Sequence, residues 1–487
     1  MPTSREMASA VDSIGMLDRP IYTLTKCFCL WKAVLLLIIL ASPGPGYDTS
    51  TALLLSSDGE GPGNPAAGSM GWLISHVGLR LARWDSIYFL KIAQRGYLFE
   101  QEWAFGYGYT RFLSFLLPES LRSLQNLAVT GVLLSNLCHY LSVLVLYRLS
   151  QATFNSNRKN YNVIPFLAAA LHIVTPAGAF ISAPNGEAAF SFLNFLGYYV
   201  FITALNDERQ GSYCMRDLKF LSAGAFFAAA TSVRSNGLLS GLLFVYDAVS
   251  GLHQIITHGL LWHVIRRLAM VCAGGSLILI GIVGPQYVAY KDFCLAEDPR
   301  PWCNRLFPSI YAWVQSYYWN VGFLRYWTFS NIPLLCIAAP MIIILVYSGV
   351  RVWANLLPIL PSKQDDPAGH SVRYQARLAL PQVVLATLAV THYHIQIVNR
   401  ISSGYPLWYW FLASSLVTEN RSKTSLTPPS LISSHVIMRV IVISVDTSAW
   451  PPRQAVCPYN SLPLPLPPSN LLSSTAKSPL FSHFDIC

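Results

Sequence analysis

The chain has 487 residues, of which 53% are hydrophobic and 11% charged. A soluble domain carries about 25% charged residues, so the composition excludes an ordinary globular protein and indicates an all-α polytopic membrane protein. The apolar runs are continuous rather than alternating, which excludes a transmembrane β-barrel. The net charge of +10 does not mark a nucleic-acid binder, because the basic residues cluster at the ends of apolar runs, as cytosolic loops require.

Residues 1–26 carry Arg5, Arg19 and Lys26 and are expected in the cytosol. The first span, 27–44, ends in no clean small-residue cleavage site and reads as an uncleaved signal anchor. A long loop follows over about 45–123. Within it, residues 86–93 read as an amphipathic helix that would lie on the bilayer surface. Further spans are expected near 124–147, 163–182, 188–205, 218–232, 237–252, 268–290, 331–350, 378–398 and 404–417. That gives roughly 8–10 transmembrane helices over a domain of 27–417. The pair 218–232 and 237–252 is short and is also compatible with a broken hairpin that does not fully cross. Residues 418–487 are rich in Pro and Ser and read as a disordered tail. An apolar run at 431–445 is interrupted by His435 and Arg439.

Basic residues fix the orientation. Arg148, Arg158, Lys159, Arg209, Arg216, Lys219, Arg266, Arg267, Arg351, Lys363, Arg373 and Arg377 all fall on the cytosolic side of one alternating path. The other side receives the loop with Asp85, the turn Ala183-Pro184-Asn185-Gly186-Glu187, the turn Arg234-Ser235-Asn236-Gly237, the loop 290–331 and the region 392–405. Cys294 and Cys303 share one of these loops; they are paired if it faces an oxidising lumen and free otherwise.

These convergent polar residues are the candidate site. In so apolar a chain a carboxylate beside the bilayer is costly unless something uses it. Asp85, flanked by Arg83 and Trp84, is placed where a base would meet a hydroxyl of a lipid-linked substrate; it is equally placed to cap its helix in a local pair with Arg83. Glu187 begins a span, where a carboxylate also suits the helix dipole. Arg234 suits a phosphate, since guanidinium and phosphate match bidentately, while Asn236-Gly237 suits a turn. Glu102 and Trp103 lead into an aromatic-glycine run that is either a sugar or lipid platform or an interfacial aromatic belt. The loop with Trp302, Trp319 and Asn320 offers the same two readings. His392 and His394 are two residues apart, a spacing that points them away from each other on a helix and disfavours a metal. The sequence has no Walker A loop, no GxSxG elbow, no HExxH and no DxD pair. A soluble nucleotide-sugar donor is therefore disfavoured. A transporter would show inverted repeats, and none is visible; a noncatalytic membrane subunit is the other alternative.

Taken in order, Ala82-Arg83-Trp84-Asp85, Gly96-Tyr97, Glu102-Trp103-Ala104-Phe105, Ser182-Ala183-Pro184 with Glu187, Arg234-Ser235-Asn236-Gly237, Gln286-Tyr287, Arg300-Pro301-Trp302-Cys303, Val314-Gln315, Tyr318-Trp319-Asn320-Val321-Gly322-Phe323, His394 with Gln396, and Arg400-Ile401-Ser402-Ser403-Gly404-Tyr405-Pro406 resemble the family that adds the second mannose of the glycosylphosphatidylinositol (GPI) anchor. The resemblance covers about residues 20–416; no match is seen beyond. It implies a GT-C-type glycosyltransferase of the endoplasmic reticulum membrane, with a large first luminal loop. It implies dolichyl-phosphate mannose as donor, a GPI precursor glycolipid as acceptor, and inverting α-1,6 transfer. Asp85 would be the catalytic base. Arg83, Trp84, Glu102, Trp103, Glu187, Arg234, Asn236, Trp302, Gln315, Trp319, Asn320 and His394 would bind substrate. The chemistry calls for no metal or other cofactor. The family is further expected to work with a small membrane partner subunit.

Overall fold

A computed structural model describes residues 18–42, 77–78, 80–154, 163–356 and 367–422. The remainder of the first loop, the basic residues Arg5, Arg158, Lys159 and Lys363, the run 431–445 and the Pro/Ser-rich tail lie outside the described residues.

The described residues contain fourteen α-helices and no strand. In order they are α1 (Pro20–Ala41), α2 (Asp85–Arg95), α3 (Tyr107–Phe115), α4 (Leu124–Phe154), α5 (Val163–Ile173), α6 (Glu187–Arg209), α7 (Tyr213–Val233), α8 (Leu242–His258), α9 (Trp262–Cys294), α10 (Ile310–Tyr317), α11 (Ile332–Leu356), α12 (Pro367–Thr391), α13 (Val398–Ile401) and α14 (Leu407–Ser422). Six helical stretches among the described residues are long and apolar enough to cross a membrane: Pro20–Ala41, Leu124–Phe154, Glu187–Arg209, Ser235–His258, Trp262–Cys294 and Phe329–Leu356. The molecule is thus an all-α, multi-pass membrane protein.

Two expected spans differ instructively. The apolar run 163–182 is α-helical only to Ile173 and then turns through a 3₁₀ segment at Gly178–Ile181. Pro176 accounts for this, since the residue before a proline is pushed out of the helical region. The short pair 218–232 and 237–252 is longer than its hydropathy suggests. The helix α7 starts at Tyr213, and a 3₁₀ segment, Ser235–Gly241, feeds α8, which continues to His258.

Helix α6 packs against α4 and α7, α7 against α9, and α11 against α12. Small residues permit the α7–α9 approach: a Cβ on Gly224 would lie 2.2 Å from the Gly274 carbonyl oxygen, the close backbone contact typical of membrane helices. The two ends of α6 carry different chemistry. Its C-terminal end meets a dense set of ion pairs, with Glu208 bound by Arg216 at 2.8 Å and Arg267 at 2.9 Å, and Asp217 bound by Arg216 and Arg266, each at 2.7 Å. Nearby, the fully buried Asp247 carboxylate holds Arg377 at 3.1 Å and Arg267 at 3.3 Å, joining α8, α12 and α9. Its N-terminal end carries Glu187 and the candidate site.

Candidate active site

Asp85 is the first residue of α2. The residue before it, Trp84, sits at φ 55° and ψ −123°, a conformation costing about 1–3 kcal/mol for a residue with a side chain. That turn sets the direction in which α2 starts. The cation that meets Asp85 is far away in sequence: the Arg400 Nη2 lies 2.8 Å from Asp85 Oδ2. Arg83 instead donates its Nε to the Arg80 carbonyl at 3.2 Å. Next along α2, Ser86 donates to Asn185 Oδ1 at 2.5 Å.

Arg400 is the hub. Its Nε donates to Glu187 Oε1 at 2.8 Å, and its Nη2 also pairs with that carboxylate. Arg234 Nη1 reaches the same Oε1 at 2.8 Å. Asp85, Arg400, Glu187 and Arg234 therefore form one alternating chain of charge, drawn from α2, α13, the start of α6 and the turn after α7. Burial disfavours the Arg400 cation, but Glu187 and then Asp85 outweigh it and hold the guanidinium above its ordinary value. Glu187 is fully buried, whereas Asp85 keeps 37% of its side chain exposed. The structure thus makes Glu187 the fixed centre and Asp85 the accessible end.

The turns that present these groups are tied down by uncharged hydrogen bonds. Tyr405 donates to the Asn236 carbonyl at 3.0 Å and accepts from Asn236 Nδ2 at 3.3 Å, locking the Arg234 turn to the Arg400 segment. Asn194 donates to the Gly404 carbonyl at 2.9 Å, and the Ser191 and Ser403 hydroxyls lie 3.0 Å apart. The segment before Glu187 runs beside α4, where Ser135 donates to the Ala183 carbonyl at 2.7 Å. Ser135 lies eleven residues into α4, roughly 17 Å from its start at 1.5 Å per residue. The segment before Glu187 is therefore held against the body of α4 rather than at its end. Two buried polar atoms there, Asn185 Nδ2 and Glu187 Oε2, take no hydrogen bond among the described residues.

Other candidates lie apart from this charge chain. Glu102 is 4% exposed, pairs with Arg95 at 2.6 Å and accepts the backbone N–H groups of Leu98 at 2.8 Å and Phe99 at 3.2 Å. Trp302 is fully buried and donates to Glu100 at 3.1 Å. Trp103 shares its cluster with Trp302, Ile310 and Val314. Glu102 is enclosed because it ties the first loop to itself, whereas Trp103 and Trp302 are enclosed because they fasten the loop 290–331 onto the first loop. Glu100 does the same, accepting from Trp313 at 3.2 Å and from Tyr318 at 2.9 Å. Burial and then that carboxylate push the Tyr318 hydroxyl up to about 12. Cys294 and Cys303 are joined by a disulfide within this loop.

Trp319 packs edge-on against Phe105 at 5.6 Å, and its carbonyl lies 3.1 Å from His394 Nε2. His394 also stacks on Tyr326, while the ring of His392 packs against Phe323 instead. Gln315 is half-buried on α10 and its carbonyl accepts from Val321 at 2.8 Å. Asn320 is exposed at φ 50° and accepts from Arg325 at 3.2 Å.

Two cations were passed over by the sequence reading of individual residues. Arg400 stood there only as part of a resembling stretch, with no role. Lys32 lies inside the first apolar run, and a lone lysine in such a run is itself a signal of function. No group of three or more metal-ligating side chains occurs among the described residues.

A family model described as "Mannosyltransferase (PIG-V)" matches residues 21–464, extending beyond the stretch in which the motifs were recognised. GPI mannosyltransferase 2 of Aspergillus oryzae is 45% identical over 433 residues, covering 88% of this chain and 94% of its own. The protein of the same name from Aspergillus fumigatus is 44% identical, covering 87% and 90%. That from Saccharomyces cerevisiae is 29% identical, covering 83% and 92%. No solved structure matches.

Proposed function

Starting from its membership of the PIG-V mannosyltransferase family, to which this chain belongs, we propose that it transfers the second, α-1,6-linked mannose of the GPI anchor. The donor is dolichyl-phosphate mannose and the acceptor a mannose-bearing GPI precursor, at the luminal face of the endoplasmic reticulum membrane. The names of the relatives support the anchor as acceptor. The disulfide supports an oxidising compartment for the loop 290–331, whose Tyr311 hydroxyl lies 2.7 Å from that of Ser235, next to Arg234.

The observation that carries the mechanism is the half-exposed Asp85 at the end of a buried charge chain. Asp85 takes the proton from the acceptor 6-hydroxyl. The oxygen attacks the mannose anomeric carbon from the face opposite the phosphate, the bond from that carbon to the phosphate oxygen breaks, and dolichyl phosphate leaves with the electron pair. One displacement inverts the β-linked donor to an α-linked product. The four charges sum to zero before the step. Once Asp85 is protonated, Arg400 and Arg234 against Glu187 leave a net charge of +1. Positive charge thus appears in the site as negative charge develops on the leaving phosphate, the match that stabilises a transition state. Trp319, Asn320, Gln315 and His394 line the covering loop and contact the sugar or lipid. Arg83 and Trp84 set the approach to Asp85, Glu102 braces the first loop, and Trp103 and Trp302 hold the loop 290–331 in place. The reaction so written uses no metal and no cofactor, and a small partner subunit would assemble on the lipid-facing helices.

Complementation tests the proposal. Cells lacking the second anchor mannose, expressing this chain, would elongate the accumulated one-mannose precursor. Persistence of that precursor with the protein present in the membrane would refute it.

A further inference from the structure

Lys32 has an unusual setting. It lies nine residues before the end of α1, roughly 14 Å below that end at 1.5 Å per residue. A lysine at this depth ordinarily extends toward the interface. Instead its Nζ donates to the Ser182 hydroxyl at 2.6 Å, and Ser182 is itself 4% exposed. Its stem crosses Phe28, with the ammonium 5.2 Å from that ring centroid. No carboxylate meets it among the described residues. Arg234 and Arg400, by contrast, are each matched by an acid.

The position ties Lys32 to the site. Ser182 lies two residues after Phe180, over whose ring Arg400 stacks at 4.3 Å. Three residues after Ser182 comes the buried Asn185, whose Nδ2 donor takes no hydrogen bond among the described residues. The segment leading into Asp85 is also fixed to α1, through Arg80 Nη1 donating to the Ile39 carbonyl at 2.9 Å. Helix α1 packs on α4 and α5 and exposes Leu30, Leu37 and Ile38, so its flank faces the lipid.

We propose that Lys32 is a phosphate anchor: its ammonium receives the phosphate of a lipid substrate that enters beside α1, exchanging the Ser182 hydroxyl for an anion. A compact ammonium binds phosphate as a point charge, and a desolvated cation without an acid partner is costly unless an anion meets it. Asn185 Nδ2 supplies a neutral donor on the same turn. The inference rests on the reading of the site as one that joins lipid-linked substrates. Both substrates carry a phosphate, the donor on its polyprenyl chain and the acceptor on its inositol lipid, so the test separates them.

The full chain in lipid nanodiscs is titrated with a long-chain polyprenyl phosphate and, separately, with phosphatidylinositol, alongside Lys32→Met and Lys32→Arg. Lys32→Met keeps the length of the side chain and suits an apolar helix; its melting midpoint checks the fold. A charge-assisted hydrogen bond is worth about 1.5–3 kcal/mol, so Lys32→Met is expected to weaken one ligand by about 10- to 150-fold, and Lys32→Arg by much less. The ligand that weakens identifies the source. In transfer assays the same variant raises KM for that substrate more than it lowers kcat. Equal binding of both lipids by wild type and a folded Lys32→Met overturns the proposal, as does binding of neither by wild type. Wild-type binding that depends on Lys32, without mannose transfer, leaves the anchor standing and refutes the proposed reaction instead.

Discussion

Glu187→Gln separates what holds this site together from what it does. The substitution keeps shape and removes one charge from a fully buried side chain that two arginines share at 2.8 Å each, Arg234 and Arg400. Both arginine side chains are only 15% exposed, so water compensates little. Removing one partner of a buried pair costs about 3–5 kcal/mol, against a typical total stability of about 5–15 kcal/mol. With an unfolding entropy of about 2 cal/mol/K per residue, the described residues give a fall in melting midpoint of about 4–7 °C. Fluorescence-detected size exclusion after graded heating of the solubilised protein reads this directly. Combining Glu187→Gln with Arg234→Gln restores the charge balance and should recover part of the loss, the coupling expected for neighbours in one network. A Glu187→Gln protein that melts with wild type would show that the chain of charge does not hold these helices together.

Two further outcomes follow from the cover over the site. A Cβ at Gly106 would lie 1.8 Å from the Val233 carbonyl oxygen, immediately before Arg234; Gly106→Ala should destabilise by about 1–3 kcal/mol and lower activity, and unchanged melting would contradict the packing. Peptide mapping without reductant should recover Cys294 and Cys303 in one linked species, and alkylation of both thiols in the native protein would contradict the closed loop.

Much of the architecture was readable because charge is scarce here. In a chain this apolar, Asp85, Glu187 and Arg234 stand out, and alternate threading of the basic loops gathers them on one face. What the sequence hid was pairing. Asp85 has Arg83 beside it, yet its partner is Arg400, brought in by the fold from the last described connection. Arg234 looked like a cation in search of a phosphate, but its head is engaged by Glu187. Burial was hidden too. Glu102 and Trp302 carry the residue types of a sugar platform, while their surroundings make Glu102 a brace within the first loop and Trp302 a fastening between two loops. Lys32 was masked by its neighbours, because a hydropathy window over 27–44 averages one charge away. Helix ends moved where local chemistry overrides hydropathy, as Pro176 does after α5 and as Pro20 does at the start of α1.

The central claim is that Asp85 is the base. Asp85→Asn keeps the side chain's size at a position 37% exposed, so the melting midpoint and the amount of protein in microsomes should stay near wild type. Loss of a general base lowers rate by about 10²–10⁴-fold, so with donor and acceptor saturating, kcat should fall by that factor. Mannose transfer at the wild-type rate by Asp85→Asn would contradict the account.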